Sequence, residues 1–334
     1  MNLGKNSIKN KKEMKRKEMK RILTVIVYIM ISVFLIGTFI SISCVGKVDK
    51  DVNEEKIRVV VSILPQAEFV ERVGGDKVEV PVMVIVPPGA SPHTYEPTPG
   101  QLEEISKAEI YAKVGSGIEF ELAWMDKIIK MNEEMLVVDC ARGVKFIAAR
   151  YKYGEAVVYY EYNESDKAQS DLKGIDPHIW LSPANAKVMV ENIYEGLIEI
   201  DPQSKEYYKK NLESYLSELD KVDDEIIQTF SGKKNKKIIV FHPTWAYFAK
   251  DYGIEQIPIE EGGKEPTAEG IRNSINQAKE YNLKVIFASP EFSTQSAKAI
   301  ANEIDGEVVL VSPLEKNYVE NIRKVARAFA GAME

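Results

Sequence analysis

The chain has 334 residues, 45% of them hydrophobic and 28% charged, with a formal net charge of −7. This composition excludes a disordered polymer and, at roughly 150 residues per domain, suggests about two domains. The basic residues cluster at the start: residues 1–21 carry nine Lys/Arg against Glu13 and Glu18, which leaves −14 for the remainder. Such an acidic body excludes a nucleic-acid partner, which requires a positive field, and suits a protein that meets cations.

Residues 1–21 read as a basic cytoplasmic flank. Residues 22–45 form an uncharged apolar run, long enough to span ~30 Å of hydrocarbon as a helix. The order basic, apolar, polar is that of a signal sequence or membrane anchor, with everything after it outside the cytoplasm. Ser41-Ile42-Ser43-Cys44 leaves two outcomes open: cleavage with lipidation of Cys44, or an uncleaved anchor. Met14 and Met19 are alternative starts to Met1. Residues 46–56 are charged and aperiodic and read as a tether. The second cysteine, Cys140, reads as a small buried apolar residue.

The body then alternates strand and helix. Apolar runs at 57–63 and 78–86 read as strands, separated by a helix that Pro65 opens and Gly74-Gly75 stops. A loop follows at Pro87-Pro88-Gly89-Ala90-Ser91-Pro92-His93. Next come a helix from Thr98 to about Ala108, a strand at 110–114, a helix near 119–131 and a strand at 135–139. Residues 148–174 lack a period and read as a long exposed loop. Helices follow at about 184–198 and 203–230, the second with heptad-like apolar spacing. A second run of alternating elements fills 238–311, and a last helix begins near Tyr318. The pattern predicts an α/β fold of two lobes, each a parallel sheet flanked by helices. The N-terminal lobe covers 57–200 and the C-terminal lobe 233–334. One long rigid helix at 201–232 joins them and leaves a cleft at the carboxyl ends of the strands.

Three histidines are present in the whole chain. His93 lies in the proline-bounded loop, His178 in Asp176-Pro177-His178, and His242 between the strand Ile238-Ile239-Val240-Phe241 and Pro243. One such histidine would read as a surface or capping residue. Three at stiffened element ends, with none elsewhere, read as a ligand set. Three neutral imidazoles suit Zn2+, with a fourth position for water or a carboxylate, and favour Zn, Cu, Fe or Ni over Mg or Ca.

Several stretches carry a resemblance. They are Ser62-Ile63-Leu64-Pro65, Pro87-Pro88-Gly89-Ala90-Ser91-Pro92-His93-Thr94-Tyr95-Glu96-Pro97, Asp176-Pro177-His178-Ile179-Trp180-Leu181, Phe241-His242-Pro243-Thr244-Trp245-Ala246-Tyr247-Phe248, Gly263-Lys264-Glu265-Pro266 and Val311-Ser312-Pro313-Leu314. In order and spacing, over about 57–330, the chain resembles the zinc/manganese-type substrate-binding proteins of ABC importers. The resemblance implies an extracytoplasmic receptor, not an enzyme. It would be a monomer tethered to the cell membrane that passes a divalent metal ion to a permease and its ATPase. His93, His178 and His242 match the first three ligand positions, and His at the third leans to Zn2+ over Mn2+ or Fe2+. Ser312 stands where the family often has Asp, so the fourth ligand is water or a nearby acid such as Glu291. The loop at 148–174 lacks the histidines that zinc members often carry there.

Two other readings compete. A membrane-anchored zinc-dependent hydrolase would use the same three histidines and a bound water, with Glu96 as base. No His-Glu-x-x-His or Gly-x-Ser-x-Gly motif supports it. An adhesin or structural ectodomain would leave the histidines unexplained. Ligation by imidazole requires the neutral ring, and free histidine titrates near ~6.5. Metal affinity is therefore expected to fall as pH drops from about 7.5 to 5.5. Titration calorimetry across that window checks it, and a flat profile would point to carboxylate ligands.

Overall fold

A computed structural model describes residues 14–26, 56–150, 158–161, 175–260 and 264–333. The chain divides into two compact units, Met1–Glu54 and Glu55–Glu334. In the first, residues 14–26 form an exposed helix, α1. Most of the expected signal or anchor segment, Cys44 and nearly all of the tether lie outside the described residues. Among those described, no helix is long and apolar enough to cross a membrane.

The second unit contains two parallel sheets. The first has the order β2-β1-β3-β4, with β1 at Val59–Val61, β2 at Met83–Val84, β3 at Ile110–Lys113 and β4 at Leu136–Asp139. The second has the order β10-β9-β7-β8, with β7 at Lys237–Val240, β8 at Glu255–Pro258, β9 at Val285–Ala288 and β10 at Glu307–Leu310. Taken in chain order, the strands of both sheets follow the same arrangement. Alternate side chains enter different cores because strand side chains point to opposite faces. Val59 and Val61 face one core and Val60 another; Ile238 and Val240 face one and Ile239 another. Burial on both faces explains why these strands are continuous apolar runs.

The outer face of the first sheet is covered by α3 (Pro99–Ile105) and α4 (Glu119–Met131). That of the second is covered by α8 (Ala268–Glu280) and α9 (Gln295–Glu303). Between the sheets lie α2 (Leu64–Gly74), α5 (Pro183–Ile200), α6 (Lys205–Phe230), α7 (Ala246–Tyr252) and α10 (Tyr318–Gly331), which share one continuous core. Local chemistry sets several helix starts. Thr98, Ser182 and Thr267 accept the N–H groups of Gln101, Asn185 and Gly270, as N-caps do. Helix α6 is 26 residues long, about 39 Å at 1.5 Å per residue. It buries Tyr208, Leu212, Tyr215, Leu219, Val222, Ile226 and Phe230 on one stripe.

The long connecting helix expected from the sequence is α6, and further contacts accompany it between α2, α6 and α10. Glu68 of α2 accepts the Tyr215 hydroxyl of α6 at 2.8 Å and the Tyr318 N–H of α10 at 2.6 Å. Burial pushes the Glu68 carboxyl up, against the pull of those two bonds. Lys316 pairs with Glu71 at 2.8 Å, and Trp180 Nε1 donates to the Pro313 carbonyl at 2.8 Å.

Two expected elements differ from the observed ones. The strand expected at 78–86 is confined to Met83–Val84, with an isolated bridge between Ile57 and Val78. Pro81 has no N–H for a ladder and interrupts the run. The expected loop at 148–174 contains an antiparallel hairpin, β5 (Ile147–Arg150) with β6 (Val158–Glu161). Its remaining residues up to 174 lie outside those described.

Phe329 of α10 is fully buried against Trp245, Phe248 and Phe287. We expect Phe329→Ala to cost about 3–5 kcal/mol while unfolding stays a single transition, because the core between the sheets is shared. Two resolved transitions in a denaturant melt would show independent cores instead.

Candidate metal centre

All parts of the site come from segments following the strands. The parallel ladder of β7 and β8 continues past the strands: Ile259 N–H donates to Val240 O at 2.9 Å and Glu260 N–H to Phe241 O at 3.0 Å. That continuation brings Glu260 beside His242. The loop after β2 carries His93, held by its N–H on Ser91 Oγ at 3.3 Å. Its neighbour Pro92 accepts the Phe120 N–H of α4 at 3.1 Å. The segment Asp176-Pro177-His178 is tied at both ends of Asp176: its N–H donates to Ile147 O at 3.0 Å, and its carbonyl accepts the Tyr247 hydroxyl at 3.0 Å.

These segments bring the three expected histidines together. Ring centroids stand 5.3 Å apart for His93 and His178, 5.1 Å for His93 and His242, and 5.5 Å for His178 and His242. One nitrogen from each lies within 4.8 Å of the others. Each Nδ1 faces a carboxylate: His93 meets Glu119 at 2.6 Å, His178 meets Asp176 at 3.0 Å and His242 meets Glu260 at 2.5 Å. A carboxylate only accepts, so Nδ1 carries the proton and the Nε2 lone pair is free.

The Nε2 atoms turn inward. His178 and His93 bring theirs to 3.3 Å. That of His242 is buried and has no hydrogen-bond partner among the described residues. Two neutral lone pairs at that separation repel unless a cation or proton lies between them. In a tetrahedral site with Zn–N near 2.0–2.1 Å, two ligand nitrogens stand about 3.3 Å apart. Burial holds His178 below the ordinary histidine value, against the pull of Asp176, which keeps its ring in the ligand form. Partial desolvation pushes Glu119 up, but the hydrogen bond from His93 outweighs it and its carboxyl lies below the usual range.

The three carboxylates differ in burial. Side-chain exposure is 57% for Glu119, 1% for Asp176 and 4% for Glu260. Asp176 was visible in the sequence beside His178. Glu119 and Glu260 carried no sequence signal, being 26 and 18 residues from their histidines.

Glu291 lines the same cavity but is engaged with Ser312. Ser312 Oγ donates to Glu291 Oε1 at 2.7 Å, and Ser289 Oγ donates to Glu291 Oε2. Burial raises the Glu291 carboxyl above its ordinary value, against the Ser312 bond. It does not join the cluster of nitrogens. Phe292 stacks at 4.7 Å from the His242 ring and walls the site. The cavity between these groups is about 10 Å³, room for about one water. Glu96 is exposed.

Known proteins resemble this chain over most of its length. Residues 59–332 match the profile of the family described as zinc-uptake complex component A, periplasmic. The high-affinity zinc uptake system protein ZnuA of Bacillus subtilis is 28% identical over 267 residues, which cover 79% of this chain and 81% of that protein. The zinc-binding protein AdcA of Streptococcus pyogenes is 27% identical over 269 residues, 78% of this chain but only 51% of that longer protein. A crystal structure of ZnuA superposes with a TM-score of 0.74 at 39% identity, covering 83% of this chain and 99% of that one. The laminin-binding protein Lmb of Streptococcus agalactiae, described as bifunctional in adhesion and metal transport, superposes with a TM-score of 0.70 at 25% identity, covering 83% and 99%. With that profile matched across both sheets, the chain belongs to the zinc-uptake complex component A family of metal-binding receptors.

Proposed function

We propose that the protein captures Zn2+ outside the cytoplasm through His93, His178 and His242 and delivers it to an ABC importer. The observation that carries this reading is the set of three inward Nε2 atoms, each ring oriented by a carboxylate on its Nδ1. Membership in the family makes the chain a binding component and not a hydrolase. The carboxylates serve the rings and leave no free base aimed at a bound water.

In this reading the fourth ligand is water, since both Glu291 oxygens are held by serine hydroxyls. Imidazole donors favour Zn2+ over Mn2+. The receptor acts as a monomer, tethered either by lipid on Cys44 or by the uncleaved apolar segment. Its partners are the permease and ATPase with which the family works.

Elemental analysis of residues 46–334, purified without chelators, tests the metal directly. Zinc at one equivalent is expected; none, or a manganese-only content under competition, would refute the reading. We also expect His93→Ala, His178→Ala and His242→Ala each to weaken zinc at least tenfold, about 1.4 kcal/mol. Unchanged calorimetric affinity in all three would eliminate the site. Asp176→Asn and Glu260→Gln are expected to cost about 10–100-fold. Glu119→Gln should cost less, because an exposed pair is screened by solvent. Equal losses in all three would show that burial does not rank them.

A further inference from the structure

Strand order in the first sheet reverses at β1, and the crevice between the carboxyl ends of β1 and β3 is where an open α/β sheet ordinarily takes a ligand. Here the chain's own Glu121 fills it. This residue lies in the first turn of α4 and is 5% exposed. Its Oε1 accepts Ser62 Oγ at 2.5 Å and the Val114 N–H at 2.6 Å, and its Oε2 accepts the Gly115 N–H at 2.9 Å. Ser62 follows β1, while Val114 and Gly115 follow β3. Ser62 also meets the Tyr111 hydroxyl at 3.0 Å. One carboxylate thus ties the ends of two adjacent strands to the start of a helix. Burial raises its carboxyl above the ordinary value, and the three donors oppose that rise.

The turn it holds leads to two of the histidines. Gly115 and Gly117 have φ of 82° and 85°, which lets the chain reverse within a few residues. Between them Ser116 is buried and donates to the Pro177 carbonyl at 2.5 Å, one residue before His178. Two residues before Glu121, Glu119 holds His93 Nδ1 at 2.6 Å. The intervening Phe120 N–H binds the Pro92 carbonyl, one residue before His93. Glu121 itself touches neither histidine.

We infer that Glu121 is a positioning residue of the metal site: by plugging the crevice between β1 and β3 it fixes the Val114–Glu119 turn, which through Glu119 and Ser116 sets where His93 and His178 meet. The inference rests on the reading of those histidines as ligands. A carboxylate buried this deeply is costly unless its hydrogen bonds are all made, and here every bond it makes is to this turn or to Ser62.

Zinc titration against a competing chelator tests it in the full chain. Glu121→Gln sets an amide NH2 against the Gly115 N–H while conserving shape. It is expected to weaken zinc about tenfold, the lower end for groups that orient ligands. Ser62→Ala keeps the carboxylate and removes one donor, with an expected loss of about threefold. The decisive measurement repeats Glu121→Gln in a chain already carrying Glu119→Gln and Ser116→Ala. If Glu121 acts through those two groups, it should add less than about twofold there. A full tenfold loss in that background would assign it a merely structural role and overturn the inference, as would affinity within twofold of the parent for Glu121→Gln alone. Should Glu121→Gln lose its cooperative melt, Ser62→Ala compared in the same two backgrounds decides by the same rule. Unchanged binding by His93→Ala, His178→Ala and His242→Ala alike would remove the histidine site itself; histidine dependence with an inert Glu121→Gln would remove only this inference.

Discussion

The hydrogen bond between each imidazole Nδ1 and its carboxylate is the constraint on which the site depends. An isolated histidine presents either nitrogen and rotates between rotamers. A carboxylate on Nδ1 selects one tautomer and one ring orientation, and raises the basicity of Nε2. With three such bonds the lone pairs converge before any ion arrives. Nothing in the donor atoms themselves would keep His178 and His93 at 3.3 Å; the bonds behind them do.

Those bonds in turn depend on the sheets. His242 and Glu260 meet because two parallel strands run in register and stay hydrogen-bonded for two residues beyond their assigned ends. His93 meets Glu119 because the loop after β2 and the helix after β3 both emerge at the carboxyl end of one parallel sheet. His178 sits between the sheets, on a segment hydrogen-bonded to Tyr247 of α7 and, through Trp180, to Pro313. By sequence it belongs with His93, yet by contact it is anchored as firmly to the second sheet. Movement that separates the sheets must therefore break that anchorage or leave His178 behind.

Much of this was legible in the residues. Alternating apolar runs and helix periods marked both sheets, and the scarcity of histidine, with all three near proline, marked the rings that the fold brings together. What escaped was long-range pairing. Glu119 and Glu260 look like any surface acids of a chain rich in them, and only strand register puts them behind a ring. Glu121 was hidden for the same reason: an acid in a helix's first turn ordinarily faces solvent, whereas this one turns inward to the strand ends. The strand expected across Pro81 is cut short because an apolar run cannot form a ladder where proline lacks the N–H. The hairpin at β5 and β6 was missed because its tyrosines and acids alternate too weakly to show a period.

The unequal burial of the three carboxylates has a kinetic consequence. Asp176 and Glu260 are sealed from solvent, while Glu119 stands at the surface beside His93. Negative potential is therefore focused along one direction, from the exposed acid inward, between low-dielectric walls that include Phe292. A cation approaching from that side would meet the Glu119 carboxylate before the buried rings. The two sealed pairs impose no comparable pull on the exterior.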